Sequence, residues 1–128
     1  MARILFVDDD PLTLETLKRS VELFDHEAIT ASSGGEAKTL VTDQPPDLIM
    51  IDMNLQDMDG LTLVRQLKGN PVVAEVPLVV LSASPEMDAG DLSLAAGAAE
   101  FVAKPIRLQD LQDVINRHTG EKSSFLED

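Results

Sequence analysis

Four consecutive apolar residues, Leu48 to Ile51, run directly into the carboxylate of Asp52. Two prolines precede the run, and Asp, Asn and Gly residues follow it. A short apolar run with such boundaries is typical of a β-strand that is buried on both faces of a sheet. In an open parallel sheet, ligands bind at the carboxyl edge of the strands. We therefore expect Asp52 at that edge, exposed at the rim of the sheet.

Short apolar segments alternate with segments of helical periodicity along the whole chain. The predicted strands are residues 4–7, 28–31, 48–51, 78–81 and 100–103. A helical segment follows each strand; the fourth, roughly residues 86–96, is the weakest because Gly90 interrupts it. This alternation predicts an α/β fold, a doubly wound five-stranded parallel sheet of the flavodoxin-like (βα)5 type with strand order 2-1-3-4-5. Right-handed crossovers then bring the tips of strands one and three into one crevice.

The starts of three helices carry residues that cap helices. Asp10 precedes Pro11, and proline is favoured at the first helical position. Ser33 with Glu36 three residues later predicts a capping box for the second helix. Asp59 before a glycine predicts a cap for the third helix.

Composition and charge exclude several classes of protein. The 128 residues suffice for one domain with a real core, and the chain contains no cysteine that could form a disulfide or a thiolate site. A net charge of −13 argues against direct binding of nucleic acid or of an anionic membrane by this chain. No apolar run approaches the length of a transmembrane span. The lack of cysteine suits a reducing cytoplasm.

Polar side chains follow four of the five predicted strands, at the point where each strand ends. They are Asp8, Asp9 and Asp10 after the first strand, Asp52 and Asn54 after the third, Ser82 after the fourth and Lys104 after the fifth. Clustered carboxylates resist ionisation unless a counter-charge is near, and both Lys104 and a bound cation can supply one. Oxygen ligands select a hard ion such as Mg²⁺. Asp8, Asp9 and Asp52 could hold this ion, with a backbone carbonyl nearby.

This set of residues fits phosphoryl transfer to an aspartate. A carboxylate can act as a covalent nucleophile in aspartyl-phosphate chemistry. The metal and Lys104 would neutralise the phosphoryl oxygens in the transition state, and Ser82 could donate a hydrogen bond to them.

Each of these residues also has an ordinary structural explanation. Asp8 and Asp9 alone could form a solvated turn, and most single lysines such as Lys104 lie on the surface. His26 and His118 have no carboxylate or second histidine at a telling spacing, so we interpret both as structural or solvated. Function is favoured by the coincidence that four separate strand ends carry the required residue types.

The sequence resembles the receiver domain of two-component response regulators. The resemblance covers residues 2 to about 118 and rests on the order and spacing of five segments. These segments are residues 4–11, 47–52, 58–60, 81–83 and 101–105. It implies a receiver domain over residues 1–119, followed by a polar tail or the start of a linker at residues 120–128.

The resemblance implies roles for the residues at the strand ends. Asp52 is then the phosphoacceptor, and Mg²⁺ is bound by Asp8, Asp9, Asp52 and the backbone carbonyl of Asn54. Ser82 and Lys104 contact the phosphoryl group.

The resemblance also implies two features around the fifth strand. Ser82 and Phe101 are the switch residues that respond to phosphorylation. The peptide bond between Lys104 and Pro105 is cis. The chain departs from the family at Gln56, where a proline is frequent, and at Ser82, where threonine is commoner; Gln56 predicts a looser loop.

The implied function is that of a cytoplasmic signalling switch. The phosphoryl donor is a phosphohistidine on a histidine kinase or a histidine phosphotransfer protein. Phosphorylation remodels the face formed by the fourth helix, the fifth strand and the fifth helix, which controls an output domain or a target protein and can support a homodimer. The chain is then no enzyme beyond its own phosphorylation and dephosphorylation.

Two other functions compete with this one, a phosphatase and a binding module of the same fold. A phosphatase with an aspartyl-phosphate intermediate needs a second aspartate two residues after the nucleophile, and Asn54 cannot serve as that general acid and base. A binding module that signals without phosphorylation would not need the acceptor and metal residues that this chain carries.

Overall fold

The computed structural model describes residues 1–83 and 88–120 of the chain. Five strands form one parallel sheet in the order β2-β1-β3-β4-β5. The strands are β1 (Arg3–Val7), β2 (Glu27–Ala31), β3 (Leu48–Asp52), β4 (Leu78–Ser82) and β5 (Glu100–Ala103). The predicted fold class and strand order are therefore confirmed.

Five helices cover the two faces of the sheet. They are α1 (Pro11–Glu22), α2 (Gly34–Asp43), α3 (Gly60–Lys68), α4 (Ala89–Ala96) and α5 (Leu108–Thr119). Buried residues of α1 and α5 pack on one face of the sheet, and those of α2 and α3 pack on the other. Alternate residues of β1 and β3 enter the two cores because successive side chains of a strand point to opposite faces. Among the described residues, no helix is both long enough and apolar enough to traverse a lipid bilayer.

The predicted caps are present, with one correction. The side chains of Asp10, Ser33 and Asp59 accept hydrogen bonds from backbone N–H groups in the first turns of α1, α2 and α3. The carboxylate of Glu36, however, accepts the N–H of Ser32 at 2.7 Å, whereas a capping box would have it bound to the N–H of Ser33. The predicted hydrogen bond from the N–H of Ser33 to the Glu36 carboxylate is therefore wrong. The Glu36 carboxylate instead connects α2 to the residue that follows β2.

The fourth helix is shorter in the described part of the chain than the sequence predicts. It begins at Ala89, and the predicted residues 86 and 87 lie outside the described residues. Gly90 faces β5, where a Cβ atom would lie 3.8 Å from the ring of Phe101. Leu92 and Leu94 of this helix are exposed.

Candidate phosphoryl-acceptor site

Asp52 is the last residue of β3, as predicted, but its surroundings differ from the prediction. Parallel pairing sets Asp52 opposite Leu81, one residue before Ser82 at the end of β4. Only 9% of Asp52 is exposed, so the expectation of an exposed carboxylate at the rim was wrong. The ends of β1 and β5 bring Asp8 and Lys104 against its carboxylate, so these side chains and not solvent surround it. A largely buried carboxylate interacts more strongly with charges than one in bulk water does.

Lys104 joins the carboxylates of two strand ends. Its Nζ atom donates to Asp8 Oδ2 at 2.7 Å and to Asp52 Oδ1 at 3.2 Å. Its backbone N–H donates to the carbonyl of Ser82 at 2.8 Å, which fixes the residue beside β4. The peptide bond between Lys104 and Pro105 is cis, as the resemblance implied. The ammonium group is thus held inside the carboxylate cluster.

The charges of the cluster are unbalanced. Burial raises the pKa of Asp52, the Lys104 ammonium opposes this rise, and the nearby Asp8 carboxylate adds to it. Burial by itself would lower the pKa of Lys104, but its bond to Asp8 and the charges of Asp52 and Asp8 raise the pKa overall. Lys104 is therefore charged at neutral pH, and its one ammonium binds two of the three clustered carboxylates, those of Asp8 and Asp52.

The three carboxylates form a group that can hold a metal ion. Asp8, Asp9 and Asp52 each offer an oxygen atom, and these atoms lie within 4.8 Å of one another. Oxygen ligands of this kind suit Mg²⁺, and a divalent cation would balance the charge that Lys104 leaves uncompensated. The donor set therefore fits the ion that the resemblance implies.

The other predicted residues lie around this cluster. Ser82 is the last residue of β4 and is 2% exposed. Asn54 is exposed in the loop that follows β3, and a hydrogen bond from its backbone partly offsets the rise in the pKa of Asp52. Phe101 lies in β5 in register with Val80, partly buried against α4. Four strand ends thus deliver the predicted residues to one edge of the sheet.

Gly60 controls how closely α3 approaches the end of β3. A Cβ atom at this position would lie 2.6 Å from the carbonyl oxygen of Asp52 and 2.9 Å from the Cα atom of Met53. Both are backbone atoms, so they cannot move aside as a flexible side chain would. The N–H of Gly60 also donates to the carbonyl of Met53. Only glycine allows this contact, which holds the loop after Asp52 closed at its base.

Substituting Gly60 by alanine should therefore destabilise the protein. We expect Gly60→Ala to lower the free energy of unfolding by about 2 kcal/mol, the usual cost of overpacking, measured by denaturant titration. Gly69→Ala is the matched control, because a Cβ atom there would meet its nearest neighbour, the carbonyl of Gln66, at an ordinary 3.5 Å. Equal stabilities of the two variants would contradict the proposed close approach.

A groove runs along the site between α1 and the segment that joins β5 to α5. It has a volume of about 600 Å³ and is lined mainly by apolar side chains, with Lys104 among its polar lining residues. Leu12, Ile106 and Pro105 belong to its lining. Leu12 is 76% exposed, so it presents an apolar side chain to solvent at this groove.

Glu100 and Asp57 make long-range contacts that the sequence did not predict. His118 Nε2 lies 2.7 Å from Glu100 Oε1, and Arg117 also binds Glu100, so the end of α5 is joined to the start of β5. Asp57, in the loop after β3, binds two backbone N–H groups of α2. These partners are 17 to 23 residues apart in sequence, so no local sequence pattern predicts these contacts.

Comparisons with known proteins agree with this arrangement. Residues 4–116 match the family model described as the response regulator receiver domain. A curated relative, the transcriptional regulatory protein PrrA of Mycobacterium bovis, is 38% identical over 109 residues, which are 85% of this chain and 46% of PrrA. The chain thus spans about half the length of the curated relatives it matches.

Solved structures show the same fold. A response regulator receiver domain protein from Clostridium thermocellum superposes with a TM-score of 0.86 at 27% identity, covering 99% of this chain and 100% of the other. The signal receiver domain of a signal transduction histidine kinase from Syntrophus aciditrophicus gives a TM-score of 0.85 at 31% identity, with 94% and 91% covered. Similar domains therefore occur in proteins of different overall organisation.

Proposed function

This chain belongs to the family of response regulator receiver domains, and on that premise we propose that it is a cytoplasmic switch controlled by phosphorylation of Asp52. The observation that carries the proposal is the position of the Lys104 ammonium, bonded to both Asp8 and Asp52 at the carboxyl edge of the sheet. A nucleophilic carboxylate, a cation for the phosphoryl oxygens and a set of metal ligands are the parts that aspartyl-phosphate formation needs.

In the proposed reaction, an oxygen of Asp52 attacks the phosphorus of the donor. A bond forms between this oxygen and phosphorus while the bond from phosphorus to the leaving group breaks. Lys104 balances the negative charge of the phosphoryl oxygens, and the hydroxyl of Ser82 donates a hydrogen bond to one of them. Asp8, Asp9, Asp52 and the backbone carbonyl of Asn54 would hold Mg²⁺, which when bound adds further positive charge beside the phosphoryl group.

A histidine kinase or a histidine phosphotransfer protein is the proposed donor. The groove beside α1 supports this, because it is apolar and leads to Lys104 and the acceptor edge. An exposed Leu12 at its rim offers an apolar anchor to a partner helix that carries the phosphohistidine. The strong negative charge of the chain argues against nucleic acid as a direct partner.

The proposed output surface is the face formed by α4, β5 and α5. Ser82 and Phe101 would couple it to Asp52, since Phe101 packs beneath Gly90 of α4. The exposed Leu92, Leu94 and Leu108 lie on α4 and α5 and can be covered by an output domain, a target protein or a second copy of the chain. Phosphorylation would then shift an equilibrium between two arrangements of this face. The domain is proposed to span residues 1–119.

Mass spectrometry of the intact chain tests the proposal. The chain is incubated with Mg²⁺ and acetyl phosphate, and in parallel with a histidine phosphotransfer protein that carries a phosphohistidine. We expect one phosphoryl group per chain, labile at alkaline pH as an acyl phosphate is. No addition from either donor, with Mg²⁺ binding intact, would instead support a binding module that signals without phosphorylation.

A further inference from the structure

The loop between β3 and α3 is held at its tip by a carboxylate that no proposed reaction step uses. Asp57 Oδ1 accepts the N–H of Gly34 at 3.0 Å, and Asp57 Oδ2 accepts the N–H of Gly35 at 2.9 Å. These two donors are the first N–H groups of α2. Asp57 therefore caps the amino terminus of α2, although it lies in the loop between β3 and α3.

The same loop contacts α2 a second time through its next residue. Met58 lies so close to Gly34 that a Cβ atom on Gly34 would be 2.6 Å from the Met58 sulfur. Leu55 and Met58 also pack against the core between the sheet and α2 and α3. The loop is thus fixed to α2 by one pair of polar contacts and by apolar packing.

The base of the loop is closed by β3 and its neighbours. The N–H of Met53 donates to the carbonyl of Leu81 at 2.8 Å, and Asn54 and Asp59 form an isolated antiparallel bridge. Asn54 therefore belongs to the closed base of the loop, three residues before the anchored tip at Asp57. Its backbone carbonyl is the ligand that the proposed function assigns to Mg²⁺.

The hydrogen bonds of Asp57 restrict a loop whose backbone contains no proline. No residue from 53 to 59 is proline, and Gln56 at the centre of the loop is exposed. Charge-assisted hydrogen bonds are stronger than neutral ones, and a helix amino terminus favours an anion. The bonds from Gly34 and Gly35 lower the pKa of Asp57, so its carboxylate is ionised at neutral pH.

We propose that Asp57 is a positioning residue for the metal site, which holds the loop on α2 so that the carbonyl of Asn54 stays in place to bind Mg²⁺. The inference rests on the proposed function, from which the role of Asn54 comes. Groups that orient metal ligands without touching the metal typically change metal affinity by about 10- to 100-fold when they are lost. Because Leu55 and Met58 still anchor the loop, the lower end of this range applies here.

A Mg²⁺ titration without any phosphodonor tests the inference. The backbone amide resonances of Met53 and Asn54 are followed by NMR in the wild type, Asp57→Ala, Asp57→Asn and Gln56→Ala. We expect Asp57→Ala to raise the apparent Kd for Mg²⁺ about tenfold. Asp57→Asn keeps one oxygen acceptor and should give an intermediate Kd. Gln56→Ala alters an exposed side chain of the same loop and should leave the Kd unchanged.

The outcomes separate positioning from simple helix capping. If Asp57 only caps α2, the melting temperature of Asp57→Ala falls while its Kd for Mg²⁺ equals that of Gln56→Ala, and the inference is overturned. A wild type that binds no Mg²⁺ overturns it as well. If the wild type binds Mg²⁺ but takes up no phosphoryl group, the proposed function is refuted. The Mg²⁺ titration of the Asp57 variants then still shows whether Asp57 affects metal affinity.

Discussion

Replacing Asp52 by asparagine should abolish phosphoryl uptake from acetyl phosphate. The reason is that a neutral side-chain amide lacks the nucleophilic carboxylate oxygen on which the proposed aspartyl phosphate forms. We expect one phosphoryl group on the wild type and none on Asp52→Asn, measured by intact mass under identical Mg²⁺ and donor concentrations. Uptake by the variant at the wild-type rate would remove Asp52 from the proposed role.

The same variant should fold at least as stably as the wild type in buffer without Mg²⁺. Burial raises the pKa of Asp52 above its usual value of 3.8, so the folded chain binds this proton more tightly than the unfolded chain does. The stability that this tighter proton binding gives the folded chain is therefore present at low pH. It is lost as the pH rises through the pKa that Asp52 has in the folded chain. Asparagine carries no charge to bury. Denaturant titrations near neutral pH check this, and they also show that lost uptake does not reflect unfolding.

Replacing Lys104 by methionine should damage both stability and phosphorylation. The ammonium is largely buried between Asp8 and Asp52, whose side chains are 4% and 12% exposed. Removing one partner of such a buried pair leaves uncompensated charge and costs about 3 kcal/mol of unfolding free energy. Phosphoryl uptake should fall about 100-fold, as when one donor to a developing negative charge is lost.

The pH dependence of the stability of Lys104→Met shows whether Lys104 stabilises the protein through its charge or through packing. Burial and the nearby Asp8 carboxylate raise the pKa of Asp52, and the Lys104 ammonium opposes this rise. Without the ammonium, protonation of Asp52 relieves its repulsion with Asp8, so the stability gap to the wild type should narrow as pH falls from about 7 towards 5. Lys18→Met removes an exposed lysine from α1 and should change stability by less than about 0.5 kcal/mol. A gap that stays constant with pH would show that Lys104 acts through packing alone.

Much of the fold and the site could be predicted because the decisive signals are local. Each strand is a short apolar segment, and polar residues mark the ends of most of them, as Val7 is followed by Asp8 and Ile51 by Asp52. In a parallel sheet these ends meet at one edge, so the sequence order of the residues already determines that they converge. The caps at Asp10 and Asp59 likewise depend on backbone groups only two or three residues away.

The predictions that failed depended on the path of the folded chain. Asp52 is only 9% exposed, and its carboxylate binds Lys104, which lies 52 residues further along the chain. The Glu36 carboxylate binds the N–H of Ser32 and not that of Ser33, which depends on the path of the chain after β2. Asp57 was not singled out at all, because it binds α2 at a sequence distance of 22 to 23 residues, which no periodicity reveals.

The amino-acid sequence by itself determined the order of the elements and the chemical groups at the acceptor edge, because apolar periodicity and strand ends are properties of neighbouring residues. The tertiary structure decided how deeply Asp52 is buried, which carboxylates Lys104 binds and where the loop after β3 is anchored. These features depend on distances between segments that are remote in sequence, and only the packing of helices on the sheet sets those distances.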